Sequence, residues 1–375
     1  MGPNLIGFAI PIFFAAIGVE KLVAWKKGKE VYRTADALTD LGCGVGQQVM
    51  TFFNTGLLFA AYVWLYQHAR LVTLPSSVLP WVVAIVGYDF IYYWWHRLSH
   101  GVNFLWAAHV VHHQSEDYNL AVALRQSMTT AFTGFPMYAT LAMVGVPPVH
   151  FAAAAGLSLL YQFWIHTELV PALGPFEWLF NTPSAHRVHH AINPQYLDKN
   201  HAGTFIVWDR LFGTWEKEEA PCVYGTTRPI RSFNPLWAQI DGWVELVKMS
   251  RRAPSLGEAL KVWVKGPGWW PQWLGEKPKP PPYQPSAFVK YQVKTTRGVR
   301  LYALVQFLVG GVAIFCFVIW GHGLPVWMQL GAAVLILWTV GCIGGVLEGK
   351  RWARAAELSR LVAAAAFLVV LGTRV

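Results

Sequence analysis

Long apolar runs constrain this chain more than any other feature of its sequence. A run of about 20 apolar residues is long enough to cross a bilayer as a helix, which satisfies its backbone hydrogen bonds internally. The composition agrees, since 54% of the 375 residues are hydrophobic and 13% are charged, against about 25% charged in an ordinary soluble domain. The sequence therefore predicts an all-α, polytopic bundle of membrane helices. The predicted spans are residues 5–25, 41–66, 82–95, 301–320, 326–347 and the shorter 361–371.

A further apolar region predicts a helical hairpin. Residues 129–146 and 149–165 flank Pro147 and Pro148, and we expect them to dip into or through the bilayer and return. Basic side chains follow the first span and separate the last two, so the positive-inside rule predicts that these loops are cytoplasmic. They are Lys21, Lys26, Lys27, Lys29, Arg33, Lys350, Arg351 and Arg354. Because the net charge of +10 is spread beside apolar spans, it favours anionic lipid headgroups as partners and argues against nucleic acid.

Nine histidines carry the chemical signal. Six of them lie at or soon after the ends of predicted spans, and three lie in the polar region downstream. Most are spaced i, i+3 and i+4, which places side chains on one face of a helix. Neutral imidazole is the commonest protein ligand for transition metals. The sequence therefore predicts a metal site at the cytoplasmic face of the membrane. The predicted ligands are His96, His100, His109, His112, His113, His166, His186, His189 and His190.

Four polar residues near these histidines are candidates for further roles. Asp89 precedes His96 on the same predicted helix, where it either orients a ligand imidazole or bonds to a neighbouring segment. Asn119, Arg125 and Gln126 follow the second cluster, and they either bind a polar headgroup or pterin or hold loops by hydrogen bonds. Both alternatives remain open for each residue.

The remaining sequence divides the chain into two parts. Residues 170–300 are polar and rich in proline and tryptophan, so we expect them on the cytoplasmic surface. We predict a catalytic domain over residues 1–300, with its motif core at about residues 82–216, and C-terminal transmembrane segments over residues 301–375. The C-terminal segments carry no recognisable motif, and anchoring or oligomer contacts are the expected roles.

The order of the histidine motifs resembles a known family. The runs DFIYYWWHRLSH, HHQSEDYNLAVALRQS, LYQFWIHTELV, NTPSAHRVHH and LDKNHAGTFIVWDRLFGTWEKE are similar, in order and spacing, to motifs of the fatty acid hydroxylase and sterol desaturase superfamily. The resemblance covers about residues 35–237. It implies a membrane-bound oxygenase with two iron ions that uses O₂ on a lipid C–H bond. The similarity is greater to the branch that uses tetrahydrobiopterin to hydroxylate glyceryl ether lipids.

Other functions remain compatible with the residues. A sterol, a hopanoid or a fatty acyl chain also fits as the lipid substrate, with hydroxylation or desaturation as the reaction. A partner protein is an alternative to a pterin as the source of electrons. A zinc-dependent membrane hydrolase fits imidazole ligands, although no H-E-x-x-H motif is present. A metal transporter would favour polar residues at the bilayer midplane, whereas these clusters fall at span ends. His201, where the resembled family commonly has Tyr, is predicted to lie beside the metal ligands as a hydrogen-bond partner.

Overall fold

The computed structural model describes residues 5–373, with side chains from residue 10 onward. The described chain is helical and contains no β-strand, which confirms the predicted all-α class. Three short 3-10 helices, Gly174–Trp178, Gln272–Leu274 and Gly321–Gly323, join or extend the α-helices. The α-helices in chain order are α1 Leu5–Lys26, α2 Thr34–His68, α3 Leu79–Gly101, α4 Asn103–His113, α5 Leu120–Ala123, α6 Thr130–Tyr138, α7 Thr140–Met143, α8 Pro148–Trp164, α9 Pro183–His190, α10 Val207–Leu211, α11 Pro235–Arg251, α12 Leu256–Val264, α13 Arg297–Trp320, α14 Val326–Leu347 and α15 Ala353–Gly372.

Among the described residues, four helices are long and apolar enough to cross a membrane, so the chain is an integral membrane protein. They are α2, α13 with the turn that follows it, α14 and α15. The last predicted span was too short, because α15 already begins at Ala353 and runs for 20 residues. Arg354 therefore lies inside a helix and not in the loop before it.

Two other predicted membrane segments differ from the structure. Helix α1 forms at the predicted position, and α3 also forms but is not among the candidate spans of the described residues. Helix α3 carries Asp89, His96, Arg97 and His100, which lower its hydropathy. The first arm of the predicted hairpin is helical but is divided into α6 and α7. Pro136 lies inside α6, where it lacks the amide hydrogen of a regular helix. Helix α8 forms the second arm but has only 17 residues.

Helix α2 connects the membrane to the histidine-bearing segments. Its 35 residues at about 1.5 Å each give a length of about 50 Å, longer than the roughly 30 Å of a bilayer core. The first turns of α2 carry two buried acids. Asp36 accepts a hydrogen bond from Ser115 at 2.7 Å, and Asp40 accepts one from Arg125 at 2.9 Å. The polar end of α2 therefore packs against the chain that follows α4.

The C-terminal helices pack closely on the rest of the protein. A side chain at Gly344 of α14 would place its Cβ 2.5 Å from the Cα of Asn234, so only glycine allows this approach. Glu348, just after α14, accepts hydrogen bonds from the Ser232 hydroxyl and the Phe233 amide. These contacts connect α14 to the loop that begins α11.

A buried polar network ties α13, α14 and α15 together. Arg360 on α15 donates to Gln306 on α13 at 2.7 Å and to Thr339 on α14 at 3.4 Å. Its guanidinium also pairs with Glu357, which accepts a hydrogen bond from Tyr302. Ionisable groups inside a membrane bundle are costly unless they are paired. We infer that this pair fixes the arrangement of the three C-terminal helices.

Candidate metal centre

Three helices and one helix end deliver the nine predicted histidines. Helix α3 ends where Val102 adopts an extended backbone, and α4 begins directly after it. Helix α9 begins with Pro183 at its first position and with the Thr182 hydroxyl accepting a hydrogen bond from the Ala185 amide. Both features are favourable at a helix start. His166 follows the end of α8. The predicted helical spacing of each cluster is therefore present.

The nine histidines assemble into two buried groups. Within each group, one possible ligand atom from every residue lies within 4.8 Å of all the others. The first histidine group contains His96, His100, His109, His113 and His189, and the second histidine group contains His112, His166, His186 and His190. All nine predicted residues thus come together. His201 is in neither group, although its ring centroid lies 5.0 Å from that of His100.

Main-chain carbonyls fix the proton positions on four of the imidazoles. The Nδ1 atom of His96 lies 2.6 Å from the carbonyl oxygen of His201. A carbonyl only accepts hydrogen bonds, so Nδ1 must carry the proton and Nε2 of a neutral ring keeps a free lone pair. The same arrangement holds at the other three rings: His112 with Arg125 at 3.1 Å, His166 with Gln162 at 2.7 Å and His189 with Lys199 at 2.9 Å.

The second histidine group contains lone pairs that face each other. The Nε2 atoms of His112 and His166 are 3.2 Å apart. Both rings already carry their proton on Nδ1, so no hydrogen bond can form between these two nitrogens. Nε2 of His186 lies 3.1 Å from Nε2 of His166. Two nitrogens bound to one ion at about 2.1 Å each lie roughly 3.0 to 3.4 Å apart. The donor set therefore fits a bound cation.

The first histidine group also contains closely spaced imidazole nitrogens. Nε2 of His109 lies 2.9 Å from Nε2 of His96 and 3.1 Å from Nε2 of His113. The Nε2 atoms of His100 and His189 are buried and have no hydrogen-bond partner among the described residues. Buried polar atoms without partners are rare in folded proteins. A metal ion would satisfy them.

Burial keeps the imidazoles in the neutral form that binds metals. Desolvation lowers the pKa of His112 to about 4 and the pKa of His189 to about 3, although each ring donates to a carbonyl that partly opposes the shift. Desolvation also lowers the pKa of His113 and His190, with neighbouring imidazoles adding to the effect. A pKa below the ordinary value leaves the ring uncharged at pH 7.

Asp89 is directed away from the histidines. Its carboxylate accepts hydrogen bonds from the amides of Thr204 and Phe205 at 2.7 and 3.0 Å and from the indole of Trp208 at 2.9 Å. Thr204 and Phe205 lie just before α10, and Trp208 lies within it. The contacts match the second of the two roles considered for Asp89, a bond to a neighbouring segment.

Asn119, Arg125 and Gln126 also bond within the protein. Asn119 caps α5 and donates to the carbonyl of Val31 at 2.7 Å. Gln126 donates to the carbonyl of Ala123 at 3.0 Å. Arg125 is fully buried, and its guanidinium bonds to neighbouring helices while its carbonyl accepts from His112. These geometries support structural hydrogen bonding as the role of all three.

The groups that sequence analysis missed are backbone carbonyls. Gln162, Lys199 and His201 orient His166, His189 and His96 through their carbonyl oxygens. Every residue has a carbonyl, so no residue type marks such a role in the sequence. Only the asparagine and aspartate around Lys199, which tolerate unusual backbone angles, give a signal.

Comparisons with known proteins agree with the motif resemblance. The family model described as fatty acid hydroxylase matches residues 81–214. The chain is 42% identical to an alkylglycerol monooxygenase of Xenopus tropicalis over 270 residues, which is 72% of this chain and 60% of that protein. It is 40% identical to alkylglycerol monooxygenase of Homo sapiens over 309 residues, 81% of this chain and 69% of the human protein.

A third relative extends the same pattern. The alkylglycerol monooxygenase of Danio rerio is 40% identical over 272 residues, 72% of this chain. The chain spans 60% of the length of the frog and zebrafish proteins. No solved structure matches the chain.

Proposed function

The chain belongs to the fatty acid hydroxylase family, and from this premise we propose that it is a membrane monooxygenase that hydroxylates a lipid C–H bond with O₂. The observation that carries the proposal is the pair of buried groups of neutral imidazoles, which together contain nine histidines. A structural or transport role does not require two such groups side by side. The names of the similar proteins point to the same reaction class.

We propose two iron ions as the metals, one held by each histidine group. Imidazole also suits zinc, copper and nickel, so the donor set alone does not choose the metal. When bound, a redox metal supplies the activation of O₂ that no side chain provides as an acid or nucleophile. The family supports iron.

Main-chain carbonyls and aromatic side chains around the histidines suit the site to this chemistry. Carbonyl acceptors hold protons on Nδ1 and leave Nε2 free, as at His112 and His166. Aromatic rings lie around both groups and exclude water. The ring centroid of Trp95 is 5.5 Å from that of His109, Trp106 is 4.9 Å from His100, and Tyr118 is 5.3 Å from His190.

We propose an ether-linked alkylglycerol as the substrate and tetrahydrobiopterin as the electron donor. Three similar proteins bear the name alkylglycerol monooxygenase. Hydroxylation of the carbon beside the ether oxygen forms a hemiacetal, which splits into a fatty aldehyde and glycerol. The aromatic surroundings of the histidines suit an alkyl chain more than a polar substrate.

Turnover of a labelled alkylglycerol tests this function. The purified, iron-loaded protein should release fatty aldehyde only when both O₂ and tetrahydrobiopterin are present, because neither histidine nor iron supplies the second electron pair. Product would be measured by mass spectrometry, with O₂ consumption followed in parallel. If turnover is independent of pterin and requires a protein electron donor, sterols or fatty acyl chains become the favoured substrates. A protein that holds zinc and consumes no O₂ would contradict the oxygenase.

We also propose that the metal centre faces the cytoplasm. Basic residues lie at the end of α1, just after it, and between α14 and α15, including Lys26, Lys29 and Lys350. Positive charge favours the cytoplasmic side. Single cysteines near Asn193 should therefore resist an impermeant thiol reagent in intact cells and react after the cells are opened. Ready labelling from outside would reverse the proposed orientation.

A further inference from the structure

A turn beside the first histidine group holds two of its imidazoles at once. The carbonyl of Lys199 accepts from Nδ1 of His189 at 2.9 Å, and the carbonyl of His201 accepts from Nδ1 of His96 at 2.6 Å. His189 lies on α9 and His96 lies on α3. One short piece of chain therefore orients rings on two different helices.

The backbone of this turn is unusual. Asp198 and Asn200 adopt left-handed angles, with φ of 57° and 54°. Such angles are disfavoured for any residue with a Cβ, and Asn and Asp tolerate them best among these residues. Residues held in such conformations persist only where the surrounding structure determines them, and they cluster at functional sites. The contacts of Asn200 show what holds the turn.

The Asn200 side chain is completely buried and uses both ends of its amide. Its Nδ2 donates to the carbonyl of Ala185 at 2.9 Å and to the carbonyl of Glu216 at 2.8 Å. Its Oδ1 accepts from the amide of Glu216 at 2.8 Å. Ala185 directly precedes His186 on α9. Asn200 thus attaches the turn to the helix that carries three histidines.

A buried carboxylate secures the other end of the turn. Asp209 accepts hydrogen bonds from the amides of His201 and Ala202, both at 2.8 Å, and from the hydroxyl of Thr214 at 2.7 Å. Thr214 in turn contacts the hydroxyl of Tyr93 on α3 at 2.9 Å. The turn is fixed on both sides, and its carbonyls point at the histidines.

We propose that Asn200 is a positioning residue whose turn sets the ring orientation and proton position of His96 and His189. The inference rests on the proposed function, since these two rings are proposed metal ligands. Without acceptors at Lys199 and His201, each neutral ring can place its proton on Nε2, where it blocks metal binding. Loss of such an outer partner typically weakens metal affinity by about 10 to 100-fold. The second histidine group is oriented by other carbonyls and should keep its affinity.

Two measurements on Asn200→Ala test the proposal in the full-length protein. In an anaerobic titration with ferrous iron against a chelator, one of the two ions should bind about 10 to 100-fold more weakly than in the unchanged protein, and the other should bind as before. In the metal-free protein, the ¹⁵N signals of the His96 and His189 rings should report Nδ1–H, and in Asn200→Ala the Nε2–H form should appear. Asn200→Gly should show a smaller effect, because glycine adopts the left-handed backbone freely.

Asn193→Ala is the matched control. Asn193 is also buried and bonds through both ends of its amide, to Pro221 and Val223, but it does not contact the turn. It should lower thermal stability and leave both iron affinities and both ring signals unchanged. Unchanged ring signals and affinities in Asn200→Ala, or the same selective loss in Asn193→Ala, would overturn the proposal. If the unchanged protein binds no iron while the ring signals respond to Asn200, the proposed metal is wrong and the positioning role stands.

Discussion

Replacing His189 by alanine is expected to remove iron from the first histidine group and to abolish turnover. The Nε2 atom of His189 is buried and has no hydrogen-bond partner among the described residues, while its Nδ1 is held by a carbonyl. Alanine removes one of the five proposed ligands of this group. The loss should exceed the roughly 100-fold upper range seen when only an outer partner is removed. Iron per chain, measured by elemental analysis, and aldehyde release are the two readouts.

His201→Tyr is the control for that experiment. The hydrogen bond to His96 comes from the main chain of His201, so the substitution keeps it. The His201 ring itself donates to the carbonyl of Asp198 at 3.1 Å, a bond that a phenol can replace. We expect both irons to remain and the rate to fall by no more than about 10 to 100-fold. If His201→Tyr loses iron as completely as His189→Ala, the assignment of nine ligands is wrong and His201 is a ligand.

The histidine clusters were predictable because the spacing of residues along a helix can be read directly from the sequence. Residues at i, i+3 and i+4 share a face whenever a helix forms, so His109, His112 and His113 needed only the helix α4 to come close together. The structure divides them differently from the sequence, however. His112 joins the second histidine group, while His109 and His113 join the first. Sequence spacing gives the face of a helix but not the partner that each side chain meets.

The contacts of Asp89 could not be predicted from the sequence. Its position two turns before His96 predicts a possible contact, yet the carboxylate bonds to Thr204 and Trp208. Those residues lie more than 100 positions later in the chain, and no local pattern reveals that they return to α3. The carbonyl of His201 was hidden for the same reason, because it bonds to His96, 105 positions earlier in the chain. The carbonyl of Lys199 lies only 10 positions from His189, but no residue type marks a carbonyl acceptor.

Residues 129–146 show a second limit of the sequence. These residues are largely apolar, but the structure divides the region into α6 and α7. An apolar composition alone does not indicate where one helix ends and the next begins. The division of the chain near residue 300 stays a prediction.

Replacing Arg125 by methionine is expected to lower the free energy of unfolding more than other single substitutions that break an ion pair. Arg125 is fully buried and pairs with Asp40, which is also completely buried, at 2.9 Å. Its guanidinium further donates to the carbonyl of Val111 at 2.6 Å and to Gln114 at 3.0 Å. Methionine keeps much of the volume but leaves Asp40 without a cation. Breaking a buried pair in this way typically costs about 3 to 5 kcal/mol.

A double-mutant cycle separates the pair from the rest of the site. Asp40→Leu combined with Arg125→Met removes both charges, and the combination should recover most of the lost stability because no unpaired charge remains buried. Unfolding of the metal-free protein by denaturant would measure each variant in the same detergent. As a control, Lys261→Met breaks the exposed pair with Glu258 and should change little.

The outcome also bears on the metal centre. The carbonyl of Arg125 accepts a hydrogen bond from Nδ1 of His112. A shift of residue 125 should therefore weaken iron binding by the second histidine group, even in the double variant. If the Arg125→Met and Lys261→Met variants have the same free energy of unfolding, the buried pair does not hold α2 against α4. Full iron occupancy in an unstable Arg125→Met would show instead that the pair supports the fold without orienting His112.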